Sequence, residues 1–245
     1  MRFKRFLFGL WYLPIFVVLT ILSGLVCLAA SCFSKHLCRR ITSQVWAHIV
    51  LDPAFIRVEI VSGREFLPAP GDGGFIVFAN HRSLLDIPTV ARATGRAISW
   101  VAKAALGRIP VFGWTLRRAH MLVDRAGGAE AAKQMLTEAA ERLRNGEIMA
   151  IFPEGTRNKS AEPLLPFKKG AFILAKHTGV PLIPLAILNS GPLWPSGSFL
   201  PRPGLIRVAI GRPMAASGGA SLNVLAQEAQ AALRDLYLGL AAPPA

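Results

Sequence analysis

The sequence predicts an α/β domain with a mostly parallel sheet flanked by helices, preceded by an apolar helical arm. After residue 51, short apolar runs alternate with amphipathic stretches, which is the pattern of strands joined by crossover helices. Before that point, residues 6–33 contain no Asp, Glu, Lys or Arg. We therefore expect two parts: a membrane-associated helical arm over residues 1–51 and a globular domain over residues 52–245.

The apolar run is long enough to cross a bilayer, because a membrane helix needs about 20 apolar residues to cover about 30 Å of hydrocarbon. A cleaved signal peptide and a buried core helix are the alternatives, and residues 29–31 resemble a cleavage site. Basic residues flank the run on both sides: Arg2, Lys4 and Arg5 before it, and Lys35, Arg39 and Arg40 after it. The positive-inside rule keeps both flanks in the cytoplasm, which a single straight span cannot satisfy. Pro14 and Gly24 could bend the run into a hairpin, so a single anchor helix and a hairpin returning within one leaflet both stay open.

The formal net charge of +14 indicates an anionic partner. The sequence has no zinc-finger spacing, helix-turn-helix signature or basic strand studded with aromatic residues, so nucleic acid is not the expected partner. Basic residues beside an apolar segment gain about 1 kcal/mol each near acidic lipid. We therefore expect an anionic membrane surface.

The cysteines Cys27, Cys32 and Cys38 lie in or beside the arm. They form no pair of Cys-x-x-Cys motifs, so neither a zinc site nor a disulfide framework is indicated. We expect them to act as small apolar side chains in a reducing compartment.

The pattern of the chain predicts the elements of the domain in order. Alternating or short apolar runs predict strands at 55–61, 75–79, 98–102, 121–123, 148–152, 182–187 and 206–210. Helical spacing predicts helices over 36–51, 87–94, 128–144, 170–177 and 222–240. In parallel sheets, functional residues collect in the loops at the carboxyl ends of strands. The residues after the strands at 75–79 and 148–152 are therefore the first candidates for a site.

The first candidate is the stretch Asn-His-Arg-Ser-Leu-Leu-Asp at residues 80–86. His81 and Asp86 are about 140° apart on an ideal helix, so His81 must lie in an irregular turn before the helix if the two are to meet. There the carboxylate would fix the tautomer of the imidazole and leave its other nitrogen to accept a proton from an alcohol. The alternative is structural, because Ser83 and Asp86 have the spacing of a helix capping box.

The second candidate is Phe-Pro-Glu-Gly-Thr-Arg at residues 152–157. Arg157 offers a fork of hydrogen-bond donors, and Gly155 lets backbone amides approach a ligand, so the stretch suits a phosphate group. It could also be a plain strand end followed by a turn. Lys103 and Arg125 could add positive charge around an anionic substrate, or they could be solvated loop residues.

Several other chemistries lack their motifs. The sequence has no Gly-x-Ser-x-Gly nucleophile elbow, no Walker-type phosphate loop and no Gly-x-Gly-x-x-Gly fingerprint. The remaining histidines show no metal-ligand spacing, and we expect structural roles for them: His36, His48, His120 and His177. We expect no metal site and no cofactor.

Four stretches together resemble the 1-acylglycerol-3-phosphate acyltransferase family of glycerolipid acyltransferases. The family motifs are Asn-His-x-x-x-x-Asp, a Lys…Pro-x-x-Gly…Asp-Arg block, Phe-Pro-Glu-Gly-Thr-Arg and an apolar Val-Pro-Leu-Ile-Pro segment. They occur here in that order, at residues 80–86, 103–125, 152–157 and 180–187, and the resemblance covers roughly residues 55–213. The departures are Arg82, where Gln is commoner, Asn158, where Ser is frequent, and Ala119-His120, where Gly is often found.

The resemblance implies a glycerolipid-acyltransferase-like domain that transfers an acyl group without a covalent enzyme intermediate. His81 would deprotonate the sn-2 hydroxyl of lysophosphatidic acid, and Asp86 would hold the imidazole. The donor would be the thioester of acyl carrier protein or of coenzyme A, and the product phosphatidic acid. The resemblance also implies these substrate-binding residues: Asn80, Arg82, Ser83, Lys103, Arg125, Glu154, Gly155, Thr156 and Arg157.

The resemblance implies a place on the inner (cytoplasmic) membrane, with the catalytic domain on its cytoplasmic face. Three alternatives remain at this point. The acceptor could be another lyso-lipid, such as a lyso-ornithine lipid; the protein could be a transacylase that needs no coenzyme A; or it could be a non-catalytic membrane-binding protein with the same fold.

Overall fold

The computed structural model describes residues 2–123, 128–216 and 221–242. The strands are β1 Ile56–Ser62, β2 Phe75–Ala79, β3 Ile98–Lys103, β4 Met121–Val123, β5 Ile148–Ile151, β6 Leu182–Leu188 and β7 Gly204–Ile210. The α-helices are α1 Arg2–Ser31, α2 Lys35–Arg40, α3 Trp46–Leu51, α4 Asp86–Thr94, α5 Phe112–Ala119, α6 Gly128–Arg144, α7 Gly170–Thr178, α8 Ser190–Leu193 and α9 Leu222–Ala241. A π-helical turn, Ile41–Val45, joins α2 to α3, and 3-10 turns cover Arg64–Phe66 and Ala104–Arg108.

The strands form one seven-stranded sheet in the order β1-β7-β6-β2-β5-β3-β4. Neighbouring strands are parallel except β6 and β7, which are antiparallel. Helices cover both faces, so the central strands are apolar throughout, and every residue of β2 is buried. The α/β prediction with a mostly parallel sheet is confirmed.

Two apolar clusters pack on opposite faces of the sheet. Tyr12 of α1 and Val50 of α3 belong to the first cluster, and Phe172 of α7 belongs to the second. Successive residues of a strand point to opposite faces, and accordingly Met149 of β5 packs in the second cluster and Ala150 in the first. The arm helices α1 and α3 therefore contribute directly to the core of the domain.

The register of the central strands brings the two sequence candidates together. Phe78 of β2 lies opposite Ile151 of β5 and, on the other side, opposite Pro184 of β6. Because β2 and β5 run parallel, the residues that follow them, 80–86 and 152–157, leave the sheet side by side. Lys103 ends β3, which pairs with the other edge of β5.

The apolar run is one helix, α1, and both Pro14 and Gly24 lie inside it. The bend that these two residues could have formed is absent, and the chain reverses at residues 32–34 instead, where Ser34 accepts a hydrogen bond from the N–H of Leu37 at 3.2 Å. Gly24 has a packing role: a Cβ atom there would lie 2.6 Å from Cγ1 of Val111, so glycine lets α1 approach the start of α5. The arm is therefore a helical hairpin made of α1 and the α2–α3 segment.

Helix α1 lies along the domain over most of its length. Near its start, Arg5 donates to Ser198 Oγ at 2.7 Å, and Trp11 donates to the carbonyl of Pro53 at 3.1 Å. Near its end, Gly24 contacts Val111. The opposite face is apolar and exposed, and Phe3–Ser31 is long and apolar enough to cross a membrane by length and composition. The α2–α3 segment is bound more deeply, since the hydroxyl of Ser43 donates to the carbonyl of Ile98 at 3.2 Å.

The cysteines differ from the sequence prediction. Cys27 of α1 and Cys38 of α2 are buried and joined by a disulfide, whereas Cys32 is a free, exposed thiol. The expectation of three unpaired small apolar side chains is wrong for two of them. The reversal at residues 32–34 places these two cysteines opposite each other across the hairpin.

Candidate active site

The chain leaves β2 through Asn80, which is completely buried. Its amide donates to the carbonyl of Ile187 at 2.9 Å and accepts from the N–H of Ile187 at 2.7 Å. This two-way bond to β6 replaces the strand pairing that β2 has just lost. Asn80 thus fixes the point from which the next residue, His81, projects.

His81 and Asp86 make the contact that the general-base interpretation requires, and His81 lies in the turn before α4. Nδ1 of His81 lies 2.8 Å from Oδ2 of Asp86, and the two side chains are 16% and 0% exposed. A carboxylate that accepts from Nδ1 holds the neutral imidazole in the tautomer whose Nε2 is a proton acceptor. The pair can therefore act as a general base with an orienting group.

The same carboxylate also organises the turn before α4. Oδ2 of Asp86 accepts from the backbone N–H groups of Arg82 at 2.6 Å and Ser83 at 2.7 Å. The bond to Ser83 is one half of the capping box that the spacing suggested. The structural and the catalytic interpretations are therefore compatible, because one carboxylate oxygen serves both. Its position at the start of a helix also stabilises negative charge.

The turn after β5 forms hydrogen bonds to both the backbone N–H and the backbone carbonyl of His81. Glu154 Oε1 accepts from the N–H of His81 at 2.7 Å, and the N–H of Asn158 donates to the carbonyl of His81 at 2.6 Å. The second oxygen of Glu154 accepts from the N–H of Leu165 at 2.9 Å. Burial raises the pKa of the Glu154 carboxyl above its ordinary value, and these two backbone bonds act in the opposite direction. Glu154, which the resemblance placed on the acceptor, is here a positioning residue for His81.

Aromatic rings support the imidazole. The ring of Phe152 stacks on His81 with a centroid distance of 4.1 Å and an angle of 12° between the planes. Trp100 stacks on the other side of the cluster, 5.9 Å from Phe152. Phe152 begins the motif at residues 152–157, but the sequence analysis assigned no role to either ring, because the apolar residues of a strand end look like ordinary core positions.

The side chains of Arg82 and Ser83 both donate hydrogen bonds to backbone carbonyls next to the site. The guanidinium of Arg82 donates to the carbonyls of Ser160 at 2.7 Å and Glu162 at 2.9 Å. The hydroxyl of Ser83 is buried and donates to the carbonyl of Trp194 at 2.9 Å. Asn80, Arg82 and Ser83 were expected to bind substrate, and in the structure the polar groups of all three are bonded to the protein backbone.

A cavity of about 560 Å³ opens at the His81–Asp86 pair. His81, Lys103, Gly155, Thr156 and Arg157 line it near the ends of β2, β3 and β5. Most of the remaining lining is apolar and includes Trp100, Phe112, Leu116, Leu136, Ala139 and Leu174. Such a cavity, apolar with a few polar groups at one end, is the usual form of a site for a small apolar ligand.

The histidine inside the cavity wall is uncharged. His120 is buried, and its pKa is lowered to about 3 by burial first and then by the positive charges of Arg142 and Arg39. Its Nδ1 accepts from the N–H of Trp100 at 3.4 Å. The apolar part of the cavity therefore gains no positive charge from this residue.

The cations at the cavity mouth have no counter-ion among the residues that the structure describes. Arg157 is half-buried and Lys103 is exposed, and neither forms an ion pair with any residue that the structure describes. Arg125 lies outside the described residues. Within the described ranges, no group of three or more His, Cys, Asp or Glu side chains is placed to hold a metal ion.

Fold and site together define an α/β protein with a His–Asp pair at the mouth of an apolar cavity. The family model Acyltransferase matches residues 59–188, slightly more than half of the chain. The chain belongs to this acyltransferase family.

The relatives agree with this result. The chain is 33% identical over 189 residues to the chloroplastic 1-acyl-sn-glycerol-3-phosphate acyltransferase BAT2 of Brassica napus, a match that covers 77% of this chain and 53% of that protein. It is 36% identical over 118 residues to the 1-acyl-sn-glycerol-3-phosphate acyltransferase of Helicobacter pylori, covering 48% of this chain and 50% of that one. The chain thus spans about half the length of these curated relatives. The crystal structure of the 1-acyl-sn-glycerophosphate (LPA) acyltransferase PlsC from Thermotoga maritima matches with a TM-score of 0.83, 30% identity and full coverage of both chains.

The positioning role of Glu154 can be tested with Glu154→Gln. The amide keeps one acceptor oxygen but turns an NH₂ donor toward one of the two backbone N–H groups, and an unpaired buried donor costs about 1–3 kcal/mol. We expect a lower thermal unfolding midpoint and a lower kcat, with the KM for the acceptor little changed. Normal stability combined with a raised acceptor KM would instead place Glu154 on the substrate.

Proposed function

We propose that the chain is a 1-acylglycerol-3-phosphate O-acyltransferase. It transfers a fatty acyl group from the thioester of acyl carrier protein or coenzyme A to the sn-2 hydroxyl of 1-acylglycerol-3-phosphate, and the product is phosphatidic acid. The observation that carries this proposal is the His81–Asp86 pair at the mouth of an apolar cavity. Lys103 and Arg157 line the same mouth, and we call this polar end of the cavity its rim.

The geometry supports direct attack by the acceptor. Nε2 of His81 takes the proton of the sn-2 hydroxyl as the oxygen attacks the thioester carbonyl, and Asp86 stabilises the imidazolium that forms. The tetrahedral intermediate then expels the thiolate, which takes the proton back from His81. No acyl group is bonded to the enzyme at any step, and a general base in this position contributes about 10²–10⁴ in rate.

The apolar part of the cavity suits a fatty acyl chain. Burial of each CH₂ group contributes about 0.8 kcal/mol, so a long chain is held without polar contacts. The cavity meets the polar rim at His81, where the thioester carbonyl and the acceptor hydroxyl have to come together.

The rim suits the phosphate of the acceptor. Arg157 can bind phosphate oxygens through two parallel N–H bonds, and Lys103 adds a point charge. Gly155 and Thr156 belong to the same turn and line the same end of the cavity. We assign Arg125, from the family motif, to this phosphate group as well.

The arm suits attachment to one leaflet of the inner membrane, with the domain on its cytoplasmic face. The exposed face of α1 is apolar, and both ends of the helix contact the domain, so α1 is held against the globular part. Basic residues on both flanks of the run favour the anionic cytoplasmic surface.

Removal of the proposed base gives the first test of this function. We expect His81→Ala to lose about 10²–10⁴ in kcat with lysophosphatidic acid and an acyl thioester, because no other group replaces Nε2. His36→Ala, an exposed histidine of the arm, is the matched control and should keep wild-type activity. Near-normal turnover by a folded His81→Ala protein contradicts the mechanism.

The second test concerns the acceptor. Arg157→Lys keeps the charge but loses the bidentate geometry, so the KM for lysophosphatidic acid should rise while the KM for the donor changes little. Arg234→Lys, an exposed arginine of α9, is the control.

The identity of acceptor and donor is tested on the wild-type protein. Lyso-ornithine lipid is offered as an alternative acceptor, and a separate assay omits the thioester. Preferred use of a phosphate-free acceptor, or turnover without thioester, would overturn the proposed substrate or donor.

The third test concerns the topology of the arm. A single free cysteine, Phe3→Cys in a Cys32→Ser background that keeps the Cys27–Cys38 disulfide, is labelled with an impermeant maleimide from each side of sealed vesicles. Ala161→Cys, in an exposed loop of the domain, reports the catalytic side. We expect both cysteines to react from the same side. Reaction of Phe3→Cys from the opposite side alone would establish a single span.

A further inference from the structure

The segment that leads into α7 is bound to the turn of the candidate site. The N–H of Lys168 donates to the carbonyl of Pro153 at 2.8 Å, which joins the segment to the turn at residues 152–157. Two residues later Gly170 begins α7 and lines the cavity. Lys168 therefore lies beside the turn of the site, although it belongs to none of the motifs that the sequence analysis singled out.

The side chain of Lys168 runs across Gly155. A Cβ atom at Gly155 would lie 2.8 Å from Cδ and Cε of Lys168 and 2.9 Å from its Nζ. Gly155 also has a φ of +68°, which other residues rarely adopt. Glycine at this position thus has two functions: it forms the turn, and it leaves room for the ammonium group beside the residues of the cavity rim.

Glu154, the carboxylate within this turn, is already occupied by backbone donors. Both oxygens of Glu154 accept backbone N–H groups, and the Asp86 oxygen that faces His81 accepts three donors. In the part of the chain that the structure describes, no carboxylate forms an ion pair with Lys168. Lys168 and Arg157 thus bring two positive charges to one turn, and an anion bound between them relieves their repulsion.

We propose that Lys168 binds the phosphate monoester of the acceptor together with Arg157. This assignment rests on the proposed function. A phosphate monoester carries about −1.5 to −2 charges at neutral pH and offers three oxygens, so one arginine does not balance it. The guanidinium is a planar fork for two oxygens, and the ammonium is a compact charge for the third. Lys168 is accordingly a residue that selects phosphate-bearing acceptors.

The test compares Lys168→Gln with its neighbour Lys169→Gln. The two lysines are adjacent and exposed, and only the first crosses Gly155. Each variant is assayed with lysophosphatidic acid, with 1-acylglycerol of the same chain, and with the thioester donor varied at saturating acceptor. Thermal unfolding midpoints are measured in parallel.

We expect Lys168→Gln to raise the KM for lysophosphatidic acid about tenfold, which corresponds to about 1.4 kcal/mol, because the variant loses a charge-assisted hydrogen bond to the phosphate. Its kcat, its donor KM and its activity on 1-acylglycerol should stay close to the wild-type values. Lys168→Arg should recover most of the affinity, and Lys169→Gln should match the wild type.

Three outcomes overturn the assignment. An unchanged KM for lysophosphatidic acid removes Lys168 from the site. Equal losses on both acceptors together with a lower unfolding midpoint show that Lys168 only holds the turn. A rise in the donor KM alone assigns Lys168 to the phosphates of the donor. These outcomes leave the proposed function intact, whereas wild-type protein that does not acylate lysophosphatidic acid overturns both.

Discussion

The pair of hydrogen bonds between the backbone of His81 and the turn after β5 is the constraint on which the site depends. Glu154 accepts the N–H of His81, and the N–H of Asn158 donates to its carbonyl. These bonds join segments that are more than seventy residues apart and are possible because β2 and β5 are parallel neighbours. The stacked ring of Phe152 comes from the same turn. The proposed base and the proposed phosphate-binding residues therefore keep a fixed position relative to each other.

The sequence predicted the local part of this arrangement well. The strands and the helices other than α5 and α8 follow from periodicity, and the spacing of five residues allowed the contact between His81 and Asp86; both signals depend on neighbours along the chain. The role of Glu154 could not be predicted in this way, because its partners are set by strand order. The resemblance placed Glu154 and Asn80 with the substrate-binding residues, since a motif groups residues that occur together without separating those that touch a ligand from those that hold its neighbours.

The structure of the arm was also harder to predict from local sequence patterns than the strands were. Pro14 and Gly24 suggested a bend because both weaken a helix locally, but neighbouring elements support α1 on both sides of these positions. Gly24 is small where α5 approaches, so its role depends on a contact with Val111 that no local pattern contains. The position of the reversal in turn decides which cysteines meet. With the chain turning at residues 32–34, Cys27 faces Cys38, and the absence of a Cys-x-x-Cys motif says nothing about that pair.

One helix, α1, provides both an exposed apolar face and part of the cavity wall. The outer face of α1 is apolar and exposed, whereas residues of its inner face, Thr20, Ser23 and Gly24, line the cavity that contains His81. Tyr12 of the same helix is completely buried in the core of the domain. Removal of α1 would therefore open the cavity and leave a defect in the core. The arm is part of the wall of the site, and under the proposed function the apolar outer face of α1 is turned toward lipid while its inner face is turned toward the cavity.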